Sequence, residues 1–598
     1  MLCDEPRVKR TAVRMWKTVL LLPAASRRWG PLGAISRAVR VWRSGGISAV
    51  FGKMHQLAAL EAPVQRGHIA AAGSDGSRGF LHLDEDFGVD LDQWQRFLSY
   101  RAAASGGKRK VRSGVWILVT GNKGSTKAEA TLRSIEESDL TTLGARVAGV
   151  ADFGTTLEAL LADAAPSDLV WFLRAGDRID SVAVRLLCEA ESTCADFCLF
   201  DTYFVEGNRV YPQLHPGLNE IFGLNCNYFR SRFIARAEAI CQVVGKTVPG
   251  DAYLVACALI AARHGGKRVL GAHLPQGFMR IEDCHANLAE DAHAVMDLKT
   301  NANFGAVSRD RVAAYDRSVS VVICTRNKGH LLRQLVRSAR ETAGDIIREI
   351  LIVSHHTSNP YALKTLTDLR NSNRARIIAY EGPFNFSRQC NLAAREASAP
   401  YLLFLNDDVV PITVDWLVQL LLPFQNPDVG ISGPLLLYPD ERVQHAGMFM
   451  GYDGLAGHTL RAARLWEGDY LFMTQAPREV SCLTGAAMVI ERSLFEDLNG
   501  FDPLLGTYLQ DVDLSLRVNR LGRRLIFNPR AILLHMESAT LSDTLVDPMV
   551  RAIRDRERNY LSRRWGAALH WDPFHNPNLD LGVENLRMLL VEPRNPLG

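Results

Sequence analysis

The 598-residue chain is 47% hydrophobic and 22% charged, the balance of a soluble globular protein with room for more than one domain. No apolar run approaches the ~18 residues of a membrane-spanning helix. The 11 cysteines are scattered without C-x-x-C pairs, which reads as reduced thiols in the cytosol and offers no zinc framework.

The formal charge of +4 is unevenly spread. Residues 1–50 hold ten Lys/Arg against Asp4 and Glu5, a net +8 that leaves −4 for the remainder. With Trp16, Trp29 and Trp42 interleaved, this segment reads either as a peripheral contact with an anionic membrane or as a disordered basic leader. A secretory signal fits poorly, because the apolar stretch 19–22 is short and Pro23 ends it. The charge continues into no recognisable nucleic-acid module, so nucleic acid is not expected as a partner.

Residues 73–112 are Gly/Ser-rich and charged, with one helix expected over 91–101. A first α/β unit then begins with a strand at 115–119, a helix at 127–137 and a buried strand at 169–173. Arg174-Ala175-Gly176-Asp177 closes that strand. The stretch can be laid over 401–408, which suggests a tandem duplication. A linker is expected over 284–316. The second copy opens with a β-branched strand at 319–324, followed by a helix with Leu331, Leu332, Leu335, Val336 and Ala339 on one face. Strands at 350–353, 376–380 and 401–405 alternate with a helix ending near Leu369 and one capped by Ser387 that runs to Ala397. This alternation predicts parallel, doubly wound α/β sheets. The expected domains are a leader and linker (1–111), a first α/β domain (112–285), a linker (286–317), a second α/β domain (318–545) and a C-terminal helical extension (546–598).

Strand 401–405 stops on Asn406-Asp407-Asp408. Open α/β sheets bind ligands beyond the carboxyl ends of their strands, and adjacent acids there offer hard oxygen ligands to Mn²⁺ or Mg²⁺ holding a diphosphate. A solvated turn is the plainer reading of the same three residues.

The order of motifs decides between them. It comprises Ser320-Val321-Val322-Ile323-Cys324-Thr325-Arg326-Asn327, Gly382-Pro383-Phe384-Asn385-Phe386-Ser387, Asn406-Asp407-Asp408 and Gln444-His445-Ala446-Gly447. Thr484-Gly485-Ala486, Asn499-Gly500-Phe501-Asp502, Gln510-Asp511-Val512-Asp513, Leu534-His535 and Trp571-Asp572-Pro573-Phe574-His575-Asn576 follow. From about 318 to 580 this order resembles the family-two inverting glycosyltransferases with the GT-A fold, in the branch of bacterial rhamnan, O-antigen and other surface-polysaccharide proteins. The resemblance implies two tandem GT-A-like domains, Rossmann-like with a mostly parallel sheet. It also implies a nucleotide-diphospho-sugar donor, a polysaccharide or lipid-linked glycan acceptor, and a cytoplasmic enzyme that can sit peripherally at the inner face of the membrane.

By the same resemblance Asp408 and His535 bind the metal, with Asp407 and Asn406 alongside. Asp511 is the base that takes the acceptor proton. Thr325, Arg326 and Asn327 lie at the first strand end, beside the donor. Ser354 stands where the family has an Asp that touches the nucleotide, so the charge-assisted hydrogen bond is lost. Gln444 and Gly485 match positions near the acceptor cleft. In the first copy Ala175 and Gly176 replace the paired acids, leaving Asp177 to compensate or to serve as a turn residue. Asp251 echoes the base, and Gly277 falls where the late histidine would be. The first copy therefore reads as degenerate. A noncatalytic glycan-binding or assembly scaffold that keeps the fold is the alternative. A sugar nucleotidyltransferase fits less well, because Thr325-Arg326-Asn327-Lys328-Gly329 makes a poor phosphate loop.

Overall fold

The structure, a computed structural model, describes residues 89–104, 111–138, 140–179, 183–244, 250–264, 269–281, 316–464, 470–536, 548–582 and 584. The basic segment 1–50 and most of the expected linkers fall outside the described residues. The helix expected at 91–101 spans Leu91–Ala104.

Two sheets organise the chain. In the first unit the strands are β1 (Val115–Thr120), β2 (Gly144–Ala148), β3 (Leu169–Arg174), β4 (Asp177–Arg178), β5 (Phe197–Glu206), β6 (Arg209–Gln213), β7 (Phe233–Arg236) and β8 (Gly271–Ile281). In the second they are β9 (Val319–Thr325), β10 (Ile347–His355), β11 (Arg376–Tyr380), β12 (Tyr401–Asn406), β13 (Val409–Pro411), β14 (Val429–Leu437), β15 (Val443–His445), β16 (Ala487–Glu491) and β17 (Arg524–His535). The first sheet runs β2-β1-β3-β7-β5-β8-β4, with β6 on the second half of β5 and Val89–Asp90 on β6, and the second runs β11-β10-β9-β12-β16-β14-β17-β13, with β15 on β14 and Arg478–Glu479 on β17. Along these runs, apart from the added β11, strand order and pairing sense coincide. β1 pairs in parallel with β2 and β3, as β9 does with β10 and β12. β7 and β16 are each antiparallel to both neighbours. β5 is parallel to β8 as β14 is to β17, each ladder carrying a register shift midway.

The sheets are therefore mixed, parallel from the β2 or β11 edge through β3 or β12 and again between β5 and β8 or β14 and β17, with the antiparallel β7 or β16 in between. Their central strands are buried on both faces, as their runs of Val, Ile, Leu and Phe require. Around β9 and β12, Val321, Ile323, Leu403 and Leu405 pack under the helix Gly329–Ala343, whose buried residues include the predicted Leu331, Leu332, Leu335, Val336 and Ala339.

Several local expectations are revised. β2 and the helix Phe153–Asp163 were not anticipated. The helix Phe386–Arg395 is capped by Asn385, whose side chain accepts the Arg388 N–H, and not by Ser387. Ser387 is buried in the first turn and donates to the Leu505 carbonyl at 2.5 Å. Asp177 is neither a metal ligand nor a solvated turn. It is buried against Arg232, whose Nε and Nη2 reach it at 2.8 Å. Asp177 opens β4 and pairs with Ile281, just as Val409 opens β13 and pairs with His535. Ile281, not Gly277, therefore occupies the place of the late histidine. Asp251 accepts the Leu254 N–H at 2.9 Å at the start of the helix Ala252–His264, the bonding of a helix cap.

The two units are packed together through polar and apolar contacts. Asn219 caps the helix Glu220–Asn225 through Phe222 N and also exchanges two hydrogen bonds with the Glu479 backbone, at 2.8 and 3.1 Å. Arg524 bridges Glu220 at 2.9 Å and Glu479 at 3.2 Å. Ile221 packs on Val429 and Ile526 beside these bonds. From the C-terminal segment, Asn576 reaches the buried Asp201 of the first unit at 2.8 and 3.0 Å.

Candidate active site

The carboxyl ends of β9 and β12 lie side by side, because Cys324 and Asn406 are paired across the ladder. The chain leaves β12 through Asp407 and Asp408, both 5% exposed, and enters β13, where Val409 pairs with His535. This places His535 Nε2 3.1 Å from Asp408 Oδ1. On the other side of the ring, Nδ1 lies 2.8 Å from Gln444 Oε1, a contact that sets the ring's orientation and keeps Nε2 turned to the acid. Gln444, expected near the acceptor cleft, bonds this histidine. Asn406 Nδ2 lies 3.5 Å from His535 Nε2.

Lys328, read from sequence only as part of a poor phosphate loop, belongs to the same cluster. Its Nζ donates to Asp407 Oδ1 at 3.0 Å and to Asp408 Oδ2 at 3.1 Å. Thr325 Oγ1 donates to the other Asp407 oxygen at 2.7 Å. Burial opposes the Lys328 charge, but the two carboxylates outweigh it and raise the ammonium pKa. For Asp408 burial is again opposed, here by His535 and Lys328, which hold the carboxyl well below its usual range. Asp407 moves upward, because burial and the charge of Asp408 outweigh Lys328 and Thr325. The two carboxyls thus shift in opposite directions, Asp408 down and Asp407 up.

Asp511 joins the cluster through backbone. It sits in the first turn of the helix Gln510–Arg520, and its Oδ2 accepts the Gly485 N–H at 2.8 Å. The next residue, Ala486, accepts the Asn406 N–H at 2.9 Å. Thr484-Gly485-Ala486 therefore links Asp511 to the end of the acid-bearing strand. A Cβ on Gly485 would lie 3.5 Å from Asp511 Cβ, in ordinary contact. Burial raises the Asp511 pKa, opposed by the Gly485 and Val512 N–H groups. Asp513 turns the other way, pairing with Arg517 at 2.8 Å and accepting the Trp565 indole N–H at 3.0 Å.

Two of the residues expected beside the donor, Asn327 and Ser354, make contacts within the loops at the ends of β9 and β10. Asn327, at φ 60°, is exposed and accepts the Ser358 and Asn359 N–H groups at 2.7 and 2.8 Å. Ser354 donates to Thr357 Oγ1 at 2.9 Å. Arg326 is exposed at the rim. These residues shape the loop over β9 and β10 more than they present free polar groups.

Residues 320–498 match the family described as Glycosyl transferase family 2. This segment is a glycosyltransferase family 2 domain. The matched stretch contains Asp407 and Asp408 and ends before Asp511 and His535, which the fold returns to it. The chain is 34% identical over 285 residues to the uncharacterized protein y4gI of Sinorhizobium fredii (strain NBRC 101917 / NGR234), covering 46% of this chain and 30% of that one. It is 33% identical over 266 residues to the O-antigen biosynthesis protein RfbC of Myxococcus xanthus, covering 44% and 20%. A further relative, 28% identical over 159 residues, is N-acetylglucosaminyl-diphospho-decaprenol L-rhamnosyltransferase of Mycobacterium tuberculosis (strain ATCC 25618 / H37Rv), covering 24% and 50%. The chain thus spans half or less of the length of these curated relatives. Around the family-two domain, no helix among the described residues is long and apolar enough to cross a membrane.

Proposed function

We propose that the family-two domain transfers a sugar, with inversion, from a nucleotide-diphospho-sugar to a polysaccharide or lipid-linked glycan of the cell surface, on the cytoplasmic side. The observation that carries this reading is the convergence of Asp408, His535 and Lys328 at the strand ends, with Asp511 tied to the same ends through Gly485 and Ala486. The relative named for O-antigen biosynthesis supports the acceptor class.

The donor set fits a divalent cation. Asp408 and His535 face each other at 3.1 Å, a carboxylate oxygen and an imidazole nitrogen of the kind Mn²⁺ and Mg²⁺ sites use, and a cation there would share the two carboxylates with Lys328. Asp408 and His535, with Asp407 and Asn406 alongside, would hold Mn²⁺ or Mg²⁺, which when bound offsets the charge of the departing diphosphate. The chain's own residues do the rest. Lys328 supplies a second positive charge beside the leaving group, and Thr325 fixes the Asp407 carboxylate. Asp511 accepts the proton of the acceptor hydroxyl as that oxygen attacks the anomeric carbon from the face opposite the leaving group. The Gly485 N–H holds the carboxylate in place. The shared strand order supports reading 112–285 as a degenerate glycosyltransferase-like copy that has lost the acids and the histidine. A scaffold reading has one observation in its favour, since Ser354 and Asn327 are committed to loop contacts at the donor rim.

A panel of nucleotide-sugars with Mn²⁺, scored for transfer or hydrolysis, tests the proposal. At least one donor is expected to turn over, with activity lost in Asp408→Asn and Asp511→Asn and kept in Asp251→Asn. Turnover that survives Asp408→Asn would overturn the site assignment, and silence across the panel would favour the scaffold.

A further inference from the structure

In the first unit, β5, the segment after β6 and β8 bring Asp201, His215 and His273 together. One donor atom from each lies within 4.8 Å of the others. His273 Nε2 stands 2.9 Å from Asp201 Oδ1, and His215 Nδ1 stands 3.5 Å from it. Ligands about 2.0 Å from a tetrahedral cation are roughly 3.3 Å apart. The observed separations bracket that value.

A carboxylate–histidine hydrogen-bond network accounts for only part of the arrangement. His215 is 2% exposed, and its Nδ1 is buried without a hydrogen-bond partner while pointing at the carboxylate. An unmet polar atom in such a place costs about 1–3 kcal/mol, so native proteins rarely leave one without a reason. Asp201, moreover, is braced the way ligating carboxylates are. It accepts the His215 backbone N–H at 2.8 Å, the Asn576 amide at 2.8 and 3.0 Å and the Asn578 amide at 3.4 Å. The Phe200 carbonyl acts on the His215 ring as a backbone acceptor. Burial disfavours the Asp201 charge, but His273 and His215 outweigh it and hold the carboxyl below its usual range.

The trio is not the counterpart of the Asp408–His535 pair. In the matching ladders the place of His535 falls to Ile281, well beyond His273 along β8, and the counterpart of Asp201, the first residue after the register shift, is Leu435. The second unit has no equivalent acid there.

We propose that Asp201, His215 and His273 bind a divalent cation of the zinc type, at a second site that clamps the C-terminal segment to the first unit. Two imidazoles and one carboxylate are the ligand chemistry of zinc rather than of magnesium or calcium. The fourth position falls to water or to the second Asp201 oxygen. Because Asn576 bonds the same carboxylate, the cation would fix β5, β8 and the chain beyond Asp572 as one unit.

The test uses the full chain carrying Asp408→Asn and His535→Gln, which removes the proposed donor-site metal, after dialysis against a chelator. Titration with Co²⁺ is expected to give the intense visible absorption of a four-coordinate site. Zn²⁺ is expected to displace Co²⁺ at one equivalent and to raise the melting temperature. His215→Gln and His273→Gln, each added to this chain, should abolish the absorption and the thermal shift. Failure of the parent chain to take up one equivalent of either ion overturns the proposal and leaves a metal-free polar clamp, whether or not the histidine variants fold. Unchanged uptake by folded histidine variants overturns it as well.

Discussion

The Asp511 carboxylate and the Gly485 N–H are hydrogen-bonded at 2.8 Å, although 26 positions separate them in the chain. The bond favours the ionised base, yet burial outweighs it and leaves the Asp511 pKa raised. A general base works only when deprotonated. The acid limb of kcat/KM is therefore expected above the ordinary Asp range near ~4, with activity rising as pH climbs through the raised pKa. Asp511→Asn should lower kcat by roughly 10²–10⁴-fold. A pH–rate profile across the acid range checks the first statement, and single-turnover kinetics of the variant check the second.

Lys328 and Asp408 make a second testable pair. Lys328→Met leaves two buried carboxylates without their shared ammonium, and breaking such a contact costs about 3 kcal/mol. The variant should melt lower than the parent in EDTA. Mn²⁺ should recover more stability in the variant than in the parent, because the cation no longer competes with a resident charge. Thermal melts of both proteins with and without Mn²⁺ read this directly, and an equal Mn²⁺ shift in the two would remove Lys328 from the cation pocket.

Much of this was legible in the chain, and the exceptions are features that a weak local pattern or a remote partner decides. The buried strands announce themselves because five or six large apolar residues in succession have no other place to go, as in Tyr401–Asn406. β2 was hidden because Gly144–Ala148 is mostly half-buried and carries little apolar signal. Ser387 and Asn385 are both good caps, and only the hydrogen bond to Arg388 chooses between them. Lys328 was not placed beside the acids because its partners lie 79 and 80 residues away. Asp177 likewise meets Arg232 only after 55 residues. The misplacement at Gly277 came from the register shift in the β5–β8 ladder, which sequence counting cannot see.

The junction of the two units makes a separate prediction. Asn219→Ala removes a helix cap worth about 1 kcal/mol and strips the Glu479 backbone of both partners, each loss worth roughly 1–3 kcal/mol. A total of at least about 3 kcal/mol is expected, visible in urea as a lower midpoint. Asn219→Asp should restore the acceptor half of the arrangement, namely the cap and the Glu479 N–H, and so recover part of the loss. If Asn219→Ala melts like the parent, the contact with Glu479 contributes little.

The last prediction concerns how the C-terminal helix reaches the base. Glu557, in the helix Pro548–Trp565, is 1% exposed and accepts the N–H groups of Gly506, Thr507 and Tyr508 at 2.8, 3.0 and 3.1 Å. Those residues lead straight into Leu509, a left-handed residue at φ 68°, and then into the helix that carries Asp511. Charge-assisted bonds of this kind are about twice as strong as neutral ones. In Glu557→Gln one side-chain oxygen becomes an NH₂ that can only donate, so at least one of the three N–H groups loses its acceptor. The loop should loosen and carry Asp511 off its position against Gly485. A displacement of about 1 Å at a reacting group can lower the rate 10²-fold, so kcat is expected to fall by one to two orders of magnitude while donor KM stays within about twofold. Steady-state kinetics with varied donor separate the two. A rise in KM at constant kcat would mean that the 506–508 loop serves donor binding and not the base.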